Sequence, residues 1–120
     1  LLSQKLDAGE WIAIAADRTP VHGDKTVAVN FLGHRALFPQ GAWLLAGLLK
    51  AKTNLLFLTQ QNGRYELSLR KFADIPQWPR GKRSEAIQAS AQAYADSLAA
   101  AAARAPLQWF NFYDFWEDDA

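Results

Sequence analysis

The order of hydrophobic and polar positions predicts a domain that mixes strands and helices. Residues 10–16 and 54–59 are apolar at almost every position, as is typical of strands buried on both faces in the middle of a parallel sheet. Residues 26–32 alternate between apolar and polar, which predicts a half-covered strand. Residues 35–38 follow a glycine turn and predict a short return strand.

Three helices are predicted between and beyond these strands. Residues 1–8 indicate the end of a helix, with Gly9 just after it. A helix apolar on all sides opens at residues 39–41 and runs to about residue 52, so we expect it to be buried. The longest helix covers residues 84–104 and presents one apolar face, formed by Ile87, Ala91, Tyr94 and Leu98.

The pair Asn62-Gly63 predicts a tight hairpin between residues 54–59 and an alternating strand over residues 64–72, because Asn-Gly tolerates the positive φ angles of a type I′ turn. The order of elements indicates an α/β fold with a mixed sheet flanked by helices. At 120 residues, the chain suits one domain, residues 1–120.

Composition narrows the functional classes. Thirteen basic and twelve acidic residues give a net charge of +1, which predicts no nucleic-acid partner. The absence of cysteine excludes a disulfide framework, a thiolate metal site and a cysteine nucleophile. No apolar run reaches the roughly 18 residues of a membrane span. Because the sequence has no Met and opens with Leu1, we expect it to begin inside a longer protein.

Two places have the position of a ligand site in an α/β fold. Asp17 and Arg18 follow the first apolar run, where the carboxyl end of a strand would lie. Pro39 and Gly41 lie at the start of a predicted helix, whose free N–H groups suit a phosphate or an oxyanion. The alternative interpretation is structural: Asp17 turns the chain, and Gly41 only allows close packing.

The histidines do not complete a catalytic set. Neither His22 nor His34 has an acidic residue five positions on, since Val27 and Pro39 stand there, and both lie in predicted surface turns. No serine-hydrolase elbow, glycine-rich phosphate loop or dinucleotide motif is present. We therefore predict no catalytic residue, no metal site and no cofactor.

The C-terminal segment, Leu107 to Trp116, has six aromatic residues in ten positions. These rings could fill the core alone, or fill it while Trp109 and Trp116 also contact a membrane interface. The basic residues Arg80, Lys82 and Arg83 could add contacts to anionic headgroups, or could simply be solvated.

Four motifs in order resemble the C-terminal part of the bacterial lipid A biosynthesis acyltransferases, a branch of the lysophospholipid acyltransferase superfamily. The most specific motif is Phe31-x-Gly33-x-x-Ala36-x-x-Pro39-x-Gly41, before an apolar helix. The others are AIAADRTP around Asp17, the hairpin NLLFLTQQNGRYEL, and the tail PLQWFNFYDFW, where the family has Pro-x-Gln-Trp-x-Trp. The tail also resembles the acyltransferases associated with glycosyltransferases or with aryl-polyene synthesis.

The resemblance implies transfer of a fatty acyl group from acyl carrier protein or coenzyme A to a hydroxyl of a glycolipid or similar acceptor, at the cytoplasmic face of the bacterial inner membrane. The family uses His-x4-Asp/Glu, in which the carboxylate orients the imidazole that takes the hydroxyl proton. That motif would precede Leu1, so the 120 residues alone are predicted to be inactive. Asp17, Arg18, Pro39 and Gly41 are then expected to form part of the substrate site.

A second hypothesis is a non-catalytic module that binds lipid or protein and descends from that fold. Under either hypothesis, we expect an exposed apolar edge and face of a partial sheet to make the isolated chain self-associate.

Overall fold

The computed structural model of the chain describes residues 1–19, 25–73, 78 and 80–116. Within this part, three helices and four strands form, followed by a short 3₁₀ turn. The helices are α1 (Leu2–Asp7), α2 (Gly41–Leu48) and α3 (Arg83–Arg104). The strands are β1 (Thr26–Phe31), β2 (His34–Pro39), β3 (Thr53–Gln61) and β4 (Arg64–Ala73), and the 3₁₀ turn is Pro106–Gln108.

The first hairpin joins β1 to β2 through a two-residue turn. Leu32 and Gly33 in this turn have φ angles of 52° and 88°, as a type I′ turn requires. The turn places Phe31 and Phe38 on one face, and both side chains are fully buried. The strand and the return strand predicted from the sequence are confirmed here.

The second hairpin joins β3 to β4 through Asn62 and Gly63, whose φ angles are 50° and 75°. The predicted Asn-Gly turn is confirmed. The prediction that residues 54–59 form a strand covered on both faces is wrong, because burial alternates along β3. Leu55 is 6% exposed, whereas the next residue, Leu56, is 56% exposed.

The predicted strand over residues 10–16 does not form: the segment has no regular secondary structure. Trp11 and Ile14 are 75% and 49% exposed, and of this run only Ala16 is buried. A strand needs a neighbour for its backbone hydrogen bonds, and both hairpins pair internally. The expected domain of mixed helix and strand is confirmed. The strands that the structure describes form two separate antiparallel sheets, however, and not a single mixed sheet.

Helix α3 covers the first hairpin with the apolar face that the sequence predicts. Ile87, Ala91 and Leu98 are buried, and Tyr94 packs against the same core. Ala91 and Ala95 have no exposed surface, so their small side chains let the helix approach the sheet closely. Most of the core therefore lies between α3, the first hairpin and the C-terminal tail.

Helices α1 and α2 end with the same pair of backbone hydrogen bonds. After α1, the N–H groups of Gly9 and Glu10 donate to Leu6 and Lys5, and Gly9 has a φ of 81°. This is the Schellman geometry, which confirms the predicted helix end. In α2 the left-handed position is taken by Lys50, with a φ of 50°, and the helix ends at Leu48, before the predicted residue 52.

Candidate functional site

An open depression of about 490 Å³ lies where the segment after α1 meets the C-terminal tail. Three of the residues singled out in the sequence are part of it: Asp17, Arg18 and Trp116. The complete lining is Asp17, Arg18, Thr19, Leu37, Tyr113, Asp114, Phe115 and Trp116. The depression combines two carboxylates and a guanidinium with aromatic rings.

Arg18 links the two sides of this depression, the segment after α1 and the C-terminal tail. Its Nε donates to Asp17 Oδ2 at 3.3 Å, and its Nη2 donates to the carbonyls of Trp109 and Phe110 at 3.2 and 3.3 Å. The guanidinium carbon lies 5.9 Å from the centre of the Tyr113 ring, within the range of a cation–π contact. The planar, forked guanidinium suits this set of partners better than a lysine ammonium would.

The aromatic tail packs around Phe31, on β1. The rings of Trp109, Phe115 and Trp116 lie 5.3, 5.6 and 6.1 Å from that of Phe31, and Trp116 Nε1 donates to the Phe31 carbonyl at 2.8 Å. Trp109 and Trp116 therefore contribute to the core. A lipid contact by these two rings stays a prediction. Among the large apolar residues of the tail, Leu107, Phe110 and Phe112 are the most exposed, at 90%, 65% and 89%.

Tyr94 lies between the depression and the start of α2. Its ring is 6.1 Å from Phe38 and 5.4 Å from Trp43. Burial, together with the nearby charge of Asp17, raises the pKa of Tyr94 from 10.0 to about 12. The sequence places this residue on the core face of α3, and nothing in the sequence pattern indicates that Asp17 lies near it.

Pro39 and Gly41 do not line the depression. Pro39 is buried at the end of β2, and Gly41 begins α2. Between them, the N–H of Gln40 donates to the Lys25 carbonyl at 3.1 Å, which holds the turn against the start of β1. The predicted site is thus divided: Asp17, Arg18 and Trp116 come together at the depression, and Pro39 and Gly41 are not part of its lining.

The indole N–H of Trp43, in the first turn of α2, is buried and has no hydrogen-bond partner among the described residues. That turn also has no side-chain cap from Gln40. In an α-helix the first backbone N–H groups lack partners within the helix. The start of α2 therefore lacks a side-chain cap and carries one buried donor that is unpaired in the described part of the chain.

His34 is exposed at the start of β2, with its ring 6.4 Å from that of Trp116, and His22 lies outside the described residues. A search of the described residues finds no group of three or more side chains able to hold a metal ion. In the same part of the chain, no helix has the length and apolar character needed to cross a bilayer. Arg80, Lys82 and Arg83 are exposed before and at the start of α3.

The lining of the depression can hold a polar ligand by hydrogen bonds to its carboxylates and guanidinium, with apolar contact to its rings. Within that lining, Asp17 is engaged by Arg18. Comparison of the chain with protein-family models, with curated proteins and with solved structures finds no match.

Proposed function

We propose that this chain forms part of an acyltransferase that moves a fatty acyl group from an acyl carrier protein or coenzyme A thioester to a hydroxyl of a glycolipid or lipid-like acceptor. The proposal places the reaction at the cytoplasmic face of the bacterial inner membrane. One observation supports it above the others: Arg18 contacts the backbone of Trp109, 91 positions away. Two of the motifs that carry the family resemblance therefore meet at one open depression.

The proposal assigns substrate binding to this chain. Asp17 and Arg18 would orient the acyl donor or the acceptor, and the turn at Pro39 and Gly41 would contribute backbone N–H groups to a developing oxyanion. Since His-x4-Asp/Glu is not found within the 120 residues, the group that takes the acceptor's proton is not assigned to this chain.

A second candidate function is a non-catalytic module that binds lipid or protein. It is favoured by the exposed rings of Phe110 and Phe112, which lie at and just after the part of the tail held by Arg18. Aromatic rings exposed beside a polar depression are a common feature of interfaces with lipid or with another protein.

The decisive experiment uses the product of the complete gene that encodes these residues, incubated with acyl carrier protein thioesters and candidate glycolipids. Acyl transfer detected by mass spectrometry is the expected result. Asp17→Asn and Arg18→Lys should each lower kcat/KM by about tenfold or more, because the first removes a charge at the depression and the second removes the forked donors. Asp7→Asn, at the exposed end of α1, is the matched control and should leave turnover unchanged.

The two candidate functions give different results in this assay. Turnover that is lost in the depression variants and kept in the control supports the acyltransferase. Turnover unaffected by Asp17→Asn and Arg18→Lys contradicts the assigned site. A gene product with no turnover that still binds vesicles of phosphatidylethanolamine and phosphatidylglycerol through Phe110 and Phe112 supports the binding module.

A further inference from the structure

The hairpin of β3 and β4 turns its more apolar face toward solvent. The register pairs Leu56 with Leu69, Leu58 with Leu67, and Gln60 with Tyr65. Directly paired residues in an antiparallel hairpin share a face, and residues two apart along a strand share it too. The five large apolar side chains on this side form what we call the leucine face: Leu56, Leu58, Tyr65, Leu67 and Leu69. Their exposed fractions run from 53% to 77%.

The other face of the same hairpin is the one that packs on the body of the protein. Leu55 is 6% exposed, and Phe57 packs against the core. Further along that face β4 presents polar side chains, namely Arg64, Glu66, Ser68 and Arg70, paired with Gln61, Thr59, Phe57 and Leu55. The hairpin is therefore held by its more polar side, and the described part of the chain leaves the leucine face exposed.

The size of the leucine face fits a protein partner. Its five side chains expose on the order of 500 Å², which is at the upper end of the largest apolar patch on a typical monomer. A standard protein interface covers about 800 Å² on each partner. The leucine face supplies more than half of that area, and the neighbouring Asn54, Gln60 and Lys71 on the same side would add a polar rim.

The charges argue against an anionic membrane as the occupant. A surface that binds such a membrane combines its apolar residues with several cations. Of the three cations in β4, Arg64 and Arg70 lie on the opposite face of the hairpin, and Lys71 alone shares the side of the leucine face. The centre of the face, formed by two directly opposed leucine pairs, is uncharged.

This arrangement is self-complementary. The pairs Leu56–Leu69 and Leu58–Leu67 form a square of four similar side chains, and a two-fold axis in the plane of contact would place each pair on a pair of the other copy. A two-fold interface of this kind needs one patch that complements itself. We propose that two copies of this chain associate leucine face to leucine face as a symmetric dimer. This inference does not depend on the acyltransferase proposal.

Sedimentation of the wild-type chain from low micromolar to near-millimolar concentration tests the dimer. The test variant is Leu58→Lys/Leu67→Glu, whose opposite charges face each other across the strands and so support the hairpin while spoiling the apolar face. The control, Leu48→Lys/Leu107→Glu, makes the same changes at leucines that are 62% and 90% exposed elsewhere. Circular dichroism checks that each variant folds.

We expect the wild type and the control to dimerise with similar affinity, and the test variant to have a dimer dissociation constant raised by more than about tenfold. A wild type that is monomeric throughout overturns the proposal, as does a test variant that dimerises like the wild type. A monomeric wild type that floats with phosphatidylglycerol vesicles, when the test variant does not, overturns it in favour of a lipid surface.

A second measurement does not depend on charged substitutions. The chain has no cysteine, so Leu67→Cys and Leu48→Cys each introduce a single thiol. The oxidant is diamide, which takes up the two protons and two electrons released when two thiols form a disulfide. We expect covalent dimers of Leu67→Cys to form at least about tenfold faster than those of Leu48→Cys. Equal or slower crosslinking at position 67 contradicts a dimer through the leucine face.

Discussion

The side-chain amide of Gln92 satisfies both backbone polar groups of Asn30. Its Oε1 accepts from the Asn30 N–H at 2.9 Å, and its Nε2 donates to the Asn30 carbonyl, also at 2.9 Å. One helical turn earlier, Gln88 donates to the carbonyl of Ala28. Four residues rise about 6 Å along a helix and two residues rise about 6.6 Å along a strand, so the two spacings match. Helix α3 thereby covers the free edge of β1 with side-chain amides.

Replacing Gln92 by Ala should expose that edge. We expect the free energy of unfolding to fall by roughly 1 kcal/mol, because water replaces two hydrogen bonds that lie at the surface. Hydrogen exchange gives a local measurement: the Asn30 amide should lose protection, and the Leu98 amide within α3 should keep it. Unchanged protection at Asn30 would contradict the role assigned to the glutamine.

Replacing Arg18 by Ala should loosen the C-terminal tail. The change removes the hydrogen bonds to the Trp109 and Phe110 carbonyls and the contact with Tyr113. We expect a loss of about 1–2 kcal/mol in the free energy of unfolding. We also expect a red shift of tryptophan fluorescence, because Trp109 belongs to the tail that Arg18 holds.

Arg18→Lys separates charge from geometry in the same experiment. It keeps the charge near Asp17 and loses the forked donors, so it should recover only part of the stability. The exposed Arg64→Ala is the control and should have little effect on the fluorescence. A red shift of equal size in that control would sink this interpretation of Arg18.

The raised pKa of Tyr94 predicts a loss of stability in alkaline solution. Above pH 10, the unfolded chain releases the phenol proton that the folded chain keeps until about pH 12. Stability therefore falls as the pH rises from 10 to 12, by about 2 kcal/mol for this one group. Tyr94→Phe should remove that contribution, which denaturant titrations at pH 8 and pH 11 would show as a smaller difference between the two pH values.

Asp17 can be tested in the same system by absorbance titration. The chain has three tyrosines, so a background of Tyr65→Phe/Tyr113→Phe leaves Tyr94 as the reporter. Adding Asp17→Asn should lower the pKa of Tyr94 only partway toward 10.0, because burial is the larger cause and the charge of Asp17 the smaller. A pKa that does not change would mean that Asp17 lies farther from Tyr94 than described.

Gly47 should not tolerate a side chain. A Cβ atom at this position would overlap the indole ring of Trp78. Alanine usually stabilises a helix relative to glycine by about 1 kcal/mol. Here we expect Gly47→Ala to lower the free energy of unfolding by about 1–3 kcal/mol, because the ring must move. Urea unfolding should also show that adding Trp78→Leu to Gly47→Ala restores part of the lost free energy of unfolding. If the two substitutions instead have additive effects on that free energy, the contact between Gly47 and Trp78 is contradicted.

Local signals in the sequence predicted local structure correctly. Asn62-Gly63 turns the second hairpin and Gly9 ends α1, because the φ angles at these positions depend mainly on the residues themselves. The strand expected over residues 10–16 failed for a different reason. Hydrophobic composition makes a segment suitable for burial, but a strand also needs a partner, and the sequence of the segment does not specify one.

The candidate site was predictable only in part for the same reason. Asp17 and Arg18 stood out because of their position after an apolar run, and Trp116 because of the density of rings around it. That they form one depression depends on contacts between Arg18 and a segment 91 positions away. No pattern of spacing in one sequence contains that information. For the same reason the sequence did not predict that Asp17 lies near Tyr94.

The glutamines on α3 have a consequence for where this protein aggregates in solution. Both edges of the first hairpin are covered. Gln88 and Gln92 bond to the edge of β1, and a bridge between Ala36 and Trp116 covers the edge of β2. In the second hairpin, Gln108 covers the edge of β3 at Gln60, where it bonds to both backbone groups, and β3 is the sole described strand that pairs with β4. Aggregation on long storage should therefore start at the second hairpin, with fibrils forming from the uncharged run at 54–59, and the first hairpin should be the last part to join them.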